Sequence, residues 1–119
     1  MKALVVIAHG SRKQSSNQEV EHLCGLMNDL HHDFDFVKAA FLELADPQLP
    51  EVIGNLVQEG AQEIRVLPYF LAAGVHVSKD LPDLLAQAEI QYPNIDFHLS
   101  PHLGSHPSMA NWLLEFAKA

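Results

Sequence analysis

The run Ile64-Arg65-Val66-Leu67-Pro68-Tyr69-Phe70-Leu71-Ala72-Ala73-Gly74-Val75-His76-Val77-Ser78-Lys79-Asp80-Leu81-Pro82 decides how the chain is read. Ile64 to Leu71 is an apolar strand. It opens into small residues, presents His76 and then enters a helix. The amino-terminal run does the same: Leu4-Val5-Val6-Ile7-Ala8 delivers His9, followed by Gly10-Ser11. Residues 2–8 are nearly all apolar, as expected of a strand buried on both faces. Two imidazoles therefore follow the carboxyl ends of two buried strands, the edge where open α/β sheets bind ligands. Imidazole is also the commonest protein ligand for a transition metal. The pair points to a metal site.

Outward from these two strands the pattern is β-α, repeated four times. Residues about 15–31 carry Val20, Leu23, Cys24, Met27 and Leu30 at helical spacing. Phe34 to Leu44 reads as the second strand, closed by Glu43 within Phe41-Leu42-Glu43-Leu44. Asp46-Pro47 reads as an N-cap with proline at the first helical position. Leu49, Val52, Ile53, Leu56 and Val57 then form an apolar stripe, stopped by Gly60. Leu81, Leu84, Leu85 and Ala88 mark a third helix, and Asn94 to Leu99 a fourth strand. Pro107 opens a last helix with Ala110, Leu113, Leu114 and Ala117 on one face. Alternating strands and helices with short links predict an α/β fold: a four-stranded parallel sheet flanked by helices, with right-handed crossovers. Residues 1–119 read as one domain. Four strands are few for this architecture, and Met109, Trp112, Leu113 and Phe116 span more of the last helix than one sheet face needs. A homodimer is expected.

The formal net charge of −8 disfavours nucleic acid and anionic membrane as partners. Arg12, Lys13 and Lys79 nevertheless flank the two histidine segments and make that edge locally basic. No apolar run approaches the ~18 residues of a membrane span, and Leu4 to Ala8 is too short for a signal-peptide core. A cytoplasmic location is expected. Cys24 is the one cysteine, so an internal disulfide and a cysteine-cluster metal site are excluded. Its apolar helical neighbours predict a buried, inert thiol.

His9, Glu43 and His76 come from three different strands and reach one edge. Two imidazoles and a carboxylate are a familiar donor set for a divalent transition metal, and few protein ligands leave positions open for water or substrate. Glu43 could equally be a general base beside the metal. Gly10-Ser11 at a helix start could hold an anion. His102, past the fourth strand, reaches the same edge. Ser11, Arg12, Lys79 and His102 are thus the candidate substrate contacts. His31 and His32 read as partners of a helix C-terminal dipole, and Trp112 and Phe116 as core or dimer packing.

Ala8-His9-Gly10-Ser11-Arg12, Ala40-Phe41-Leu42-Glu43 with Pro47, the long Pro68-to-Pro82 segment and Pro101-His102-Leu103-Gly104 with Pro107 together resemble the small CbiX-type chelatases along essentially the whole chain. The resemblance implies a chelatase-like half-unit, two of which make up the larger family members, and so again a homodimer. It implies insertion of a divalent cation into sirohydrochlorin, in tetrapyrrole or cobalamin biosynthesis. The metal is a substrate, cobalt first and nickel or iron after it, and no prosthetic group is expected. By the resemblance His9 and His76 bind the metal, and Glu43 matches an acidic position in the cleft. Phe70, Leu71 and Val75 would wall the macrocycle. Its carboxylates would meet Arg12, Lys13 and Lys79.

Two other readings use the same residues. A non-enzymatic metal or tetrapyrrole carrier would bind both reactants without turnover. A phosphohistidine-type phosphotransferase would use His9 as nucleophile, but such sites need an arginine beside it, and Ala8 stands there.

Overall fold

The computed structural model describes residues 1–30 and 32–118. His31 lies outside the described residues. The strands are β1 (Lys2–Ala8), β2 (Phe36–Phe41), β3 (Glu63–Pro68) and β4 (Asp96–Leu99). The helices are α1 (Gln14–Asp29), α2 (Leu49–Gln58), α3 (Leu81–Gln91) and α4 (Met109–Ala117). A π-helical turn, His76–Asp80, leads into α3, and a 3-10 turn, Leu103–Ser105, precedes α4. The strands form one four-stranded sheet in the order β2-β1-β3-β4, parallel throughout. This is the predicted α/β architecture.

Side chains alternate across β1 and divide the core. Ala3, Val5 and Ile7 pack with Leu49, Val52, Ile53 and Leu56 of α2 and with Leu81, Leu85 and Ala88 of α3. Leu4, Val6 and Ala8 face the other way, onto Val20 and Cys24 of α1. Both faces of β1 are therefore covered, which is why its sequence is apolar without a break. Each of the Val, Leu and Ile side chains among them contributes about 1.5–3 kcal/mol by leaving water.

The chain runs from β1 outward to β2, and from β3 outward in the opposite direction to β4. The strand order thus reverses between β1 and β3. At such a switch point the connecting loops diverge and leave a crevice at the carboxyl ends. His9 follows β1 there, and the segment to His76 follows β3.

Several boundaries differ from the sequence reading. β1 ends at Ala8, so its neighbours lose their ladder soon after. β2 stops at Phe41, not Leu44, and β3 at Pro68, not Leu71. Glu43 therefore lies two residues past its strand. It sits in a bent segment where Leu44 has φ of 66°. Asp46-Pro47 does not cap α2. The Asp46–Pro47 peptide is cis, the Pro47 carbonyl accepts from Phe41 N–H at 2.9 Å, and Gln48 is the N-cap, with Pro50 in the first turn. Gly60 does follow the end of α2, with Glu59 as C-cap. β4 begins at Asp96 rather than Asn94. α1 ends at Asp29 with Leu30 as C-cap, two residues before His32. Its Nδ1 instead accepts from Phe34 N–H at 3.0 Å. α4 starts at Met109 and contains no buried residue, so the stripe Ala110, Leu113, Leu114 and Ala117 does not pack on the sheet. Trp112 is not core either: it stacks on the His106 ring at 4.5 Å and stays half exposed.

Candidate metal centre

Backbone pairing continues past the ends of the strands and assembles the site. Leu42 N–H donates to the Ala8 carbonyl at 2.9 Å, and Glu43 N–H to the His9 carbonyl at 3.0 Å. Glu43 is thereby held beside His9 although it belongs to no strand. Gly10 makes this possible. It has φ of +96°, and a Cβ there would overlap the Glu43 carbonyl oxygen. The dipeptide His9-Gly10 thus supplies a donor and, next to it, the gap through which the neighbouring segment passes.

His9, Glu43 and His76 each offer one ligand atom, and these atoms lie within 4.8 Å of one another. Among the described residues this is the group of three or more such side chains placed to hold a metal ion. His9 Nε2 is 2.7 Å from Glu43 Oε1. The His9 and His76 rings are 4.9 Å apart between centroids. The His9 and Glu43 side chains keep 40% and 54% of their exposure, so the donors are open to solvent and to a ligand.

Each imidazole has an oxygen acceptor at Nδ1. His9 Nδ1 lies 3.1 Å from the Gly10 carbonyl. His76 Nδ1 lies 2.8 Å from Asp80 Oδ2. A neutral imidazole has a single N–H. With it at Nδ1, the Nε2 lone pair of His76 is free for a cation, whereas His9 Nε2, 2.7 Å from the acceptor-only Glu43 carboxylate, carries the proton of that hydrogen bond and must release it to bind a cation. The Phe70 ring, 6.5 Å from that of His76, adds an apolar neighbour.

An open groove of about 310 Å³ adjoins the donors. Leu42 and Leu84 give it an apolar side, and Glu43, His76, Asp80 and Asp83 a polar one. Leu44, Tyr69, Leu71 and Val75, on the segments that leave the same edge, are all exposed large apolar side chains. The loop after β3 is braced by Gly104: its N–H donates to the Phe70 carbonyl at 3.0 Å, and a Cβ on it would overlap the Leu71 carbonyl oxygen.

The other candidates fall around this centre. His76 opens the π-helical turn and is not on a loop. Lys79 Nζ donates to Asp83 at 2.9 Å, and that carboxylate raises the Lys79 pKa. Arg12 is exposed. The Ser11 hydroxyl accepts from Lys13 N–H at 3.0 Å. Ser11 N–H is taken by Asn17 Oδ1 at 2.9 Å, while Asn17 Nδ2 donates to the Ser11 carbonyl at 2.8 Å. The backbone N–H of Ser11 is therefore committed within the protein and does not serve as an anion contact. His102 opens the 3-10 turn, where its carbonyl accepts from the Ser105 hydroxyl at 2.7 Å; its ring is not among the three donors.

Two residues that matter here went unread in the sequence. Asn17 is 5% exposed, a buried polar side chain on an otherwise polar helix start, and nothing in the local pattern marks it. Asp80 did leave a signal: it stands four residues after His76, the spacing at which helical side chains meet.

Residues 3–119 match the family model described as CbiX. A protein named sirohydrochlorin cobaltochelatase from Methanopyrus kandleri is 38% identical over 85 residues, covering 71% of this chain and 59% of that protein. A chloroplastic sirohydrochlorin ferrochelatase from Arabidopsis thaliana is 31% identical over 103 residues, covering 87% of this chain and 45% of that protein. The chain thus spans about half the length of these curated relatives. Among solved structures, a CbiX protein from Marinobacter aquaeolei superposes with a TM-score of 0.85 at 24% identity, over 99% of this chain and 95% of that one. The sirohydrochlorin chelatase SirB from Bacillus subtilis subspecies spizizenii, in complex with cobalt, gives 0.82 at 26% identity, over 99% of this chain and 50% of that one.

Proposed function

The chain belongs to the CbiX family, and from that premise we propose that it is a chelatase that inserts a divalent transition metal, cobalt in the first place, into sirohydrochlorin. The observation that carries the proposal is the convergence of His9, Glu43 and His76, with ligand atoms within 4.8 Å of one another at the switch point of the sheet. Two imidazoles and one carboxylate bind borderline cations such as cobalt, nickel and iron. Three donors leave coordination positions for water, and later for pyrrole nitrogens.

Insertion exchanges two pyrrole N–H protons for the cation. The metal must shed water and the protons must go to a base. Glu43 is the available carboxylate, 2.7 Å from His9 Nε2. A metal taking Nε2 would displace its proton to solvent and end that hydrogen bond, which leaves the Glu43 carboxylate free to accept a pyrrole proton. His9 and His76 hold the incoming cation through Nε2. The apolar side chains of Tyr69, Leu71 and Val75 offer a surface for the macrocycle. Arg12 and Lys79 are the cations proposed for its carboxylates, and the exposed pairing of Lys79 with Asp83 is weak enough to exchange. Ser11 contributes its hydroxyl and His102 its ring to the same edge.

No prosthetic group is required, since the metal is consumed. We place the chain in a homodimer, on the four exposed apolar side chains of α4: Trp112, Leu113, Leu114 and Phe116, which are 47%, 62%, 65% and 86% exposed. A cytoplasmic location is part of the same proposal, in keeping with a single, buried, unpaired cysteine. No helix of the described residues is long and apolar enough to cross a membrane.

The test is an anaerobic absorbance assay with sirohydrochlorin and each of Co²⁺, Ni²⁺ and Fe²⁺. The expected result is a metallated-ring spectrum formed faster than in protein-free controls. Binding of metal and ring without acceleration would make the chain a carrier.

A further inference from the structure

We infer that Asp80 is a positioning residue, which holds the His76 ring in its Nδ1–H form so that the Nε2 lone pair faces His9 and Glu43. This rests on the metal-binding reading of His76. Asp80 Oδ2 lies 2.8 Å from His76 Nδ1. A carboxylate accepts and cannot donate, so this contact requires the proton to be on Nδ1. The neutral histidine side chain on its own favours the opposite form, with the proton on Nε2. That form would turn an N–H, and not a lone pair, toward the cation. A carboxylate behind a metal-binding imidazole sets the tautomer and raises the basicity of the ligating nitrogen.

The fold explains why Asp80 can do this. The π-helical turn His76–Asp80 closes with Leu81 N–H donating to the His76 carbonyl. It places both side chains on the groove wall beside Glu43. Asp83, the next carboxylate along the groove, is occupied by Lys79 at 2.9 Å. The His9 ring, 4.9 Å away, and the Phe70 ring, 6.5 Å away, flank His76 on its other sides. Contact with Asp80 therefore fixes the remaining freedom of the ring. Single-turn π segments inside helices recur at functional sites, and here the turn supplies both a donor and its orienting partner.

Long-range proton–nitrogen correlation NMR on the metal-free protein, in mildly alkaline buffer, tests the proposal directly. His76 should be in the Nδ1–H form in the wild type and shift toward the Nε2–H form in Asp80→Ala. Asp80→Asn should retain the Nδ1–H form, because its amide oxygen still accepts. Calorimetry with Co²⁺ alone should show affinity lower by roughly ten- to a hundredfold in Asp80→Ala, with a smaller loss in Asp80→Asn. An unchanged tautomer in Asp80→Ala would overturn the proposal, and so would unchanged Co²⁺ affinity. The tautomer is read without metal or tetrapyrrole. A wild type that binds no Co²⁺ would thus defeat the chelatase reading while the NMR still decides the role of Asp80.

Discussion

The carbonyl oxygen of Glu43 occupies the place where a side chain on residue 10 would begin. Gly10 is therefore part of the donor site although it donates nothing. Any Cβ there must push the Glu43 segment away from His9 or twist the backbone out of its φ of +96°.

Gly10→Ala should accordingly lower both stability and metal affinity. A non-glycine residue held in an unfavourable backbone region costs about 1–3 kcal/mol before the overlap is counted. Thermal melts and Co²⁺ titration of the same variant check this. A drop in stability with unaltered affinity would mean that Glu43 does not contribute to binding.

Glu43→Gln keeps the shape of the side chain and removes the base. If Glu43 takes the pyrrole protons, the saturated rate should fall roughly a hundred- to ten-thousand-fold, with a lesser effect on Co²⁺ affinity. His9→Ala and His76→Ala should instead abolish metal binding. All three variants should fold, because these side chains are part-exposed and outside both apolar clusters. Calorimetry beside turnover separates the roles.

Burial, and then the charge of Glu21, push the Cys24 thiol up from 9.0 to about 11. The folded state therefore holds the thiol proton more tightly than the unfolded chain. Its contribution to stability is complete below pH ~9 and is lost as pH rises through about 11, a change of roughly 2–3 kcal/mol. Denaturant titrations between those limits should show a steeper alkaline decline in the wild type than in Cys24→Ala. Equal slopes would place the thiol in a wetter environment than α1 provides.

Phe116→Glu should yield a monomer if α4 forms the dimer interface. The residue is 86% exposed in the single chain, so the substitution should leave monomer stability within about 0.5 kcal/mol. Sedimentation velocity reads the assembly state, and a wild type that is already monomeric would refute the interface.

The strands and the facing of the sheet were legible because β1 is an unbroken apolar run after Lys2, and β3 sets Ile64, Val66 and Leu67 around Arg65. The donors were legible because both stand out of apolar surroundings, His9 directly after β1 and His76 in the segment that leads from β3 into α3. Strand ends were not. Phe41-Leu42-Glu43-Leu44 is apolar enough to continue a strand, yet the pairing stops at the bond from Glu43 N–H to the His9 carbonyl, and Leu44 adopts a left-handed backbone instead. Asp46-Pro47 has the composition of a helix start, but the tertiary bond from Phe41 to the Pro47 carbonyl directs it elsewhere. α4 looked like a core helix because its pattern is apolar. Within the chain, however, no residue of α4 is buried. Asn17 acts through side-chain hydrogen bonds, which leave no periodic trace, and the i,i+4 spacing of His76 and Asp80 carries meaning only once that segment is known to be helical.

Without a cation, the His9 Nε2–Glu43 Oε1 contact at 2.7 Å makes the protein its own competitor. An arriving ion must part these two groups, and when it leaves they can close on each other again. The hydrogen bond can form again only when His9 Nε2 takes a proton back as the metal departs, so exchange of the ion is coupled to proton transfer at this pair. A storage protein would gain nothing from such a substitute, since it weakens retention. A catalyst that must hand over its cargo in every cycle gains a faster return to the empty state.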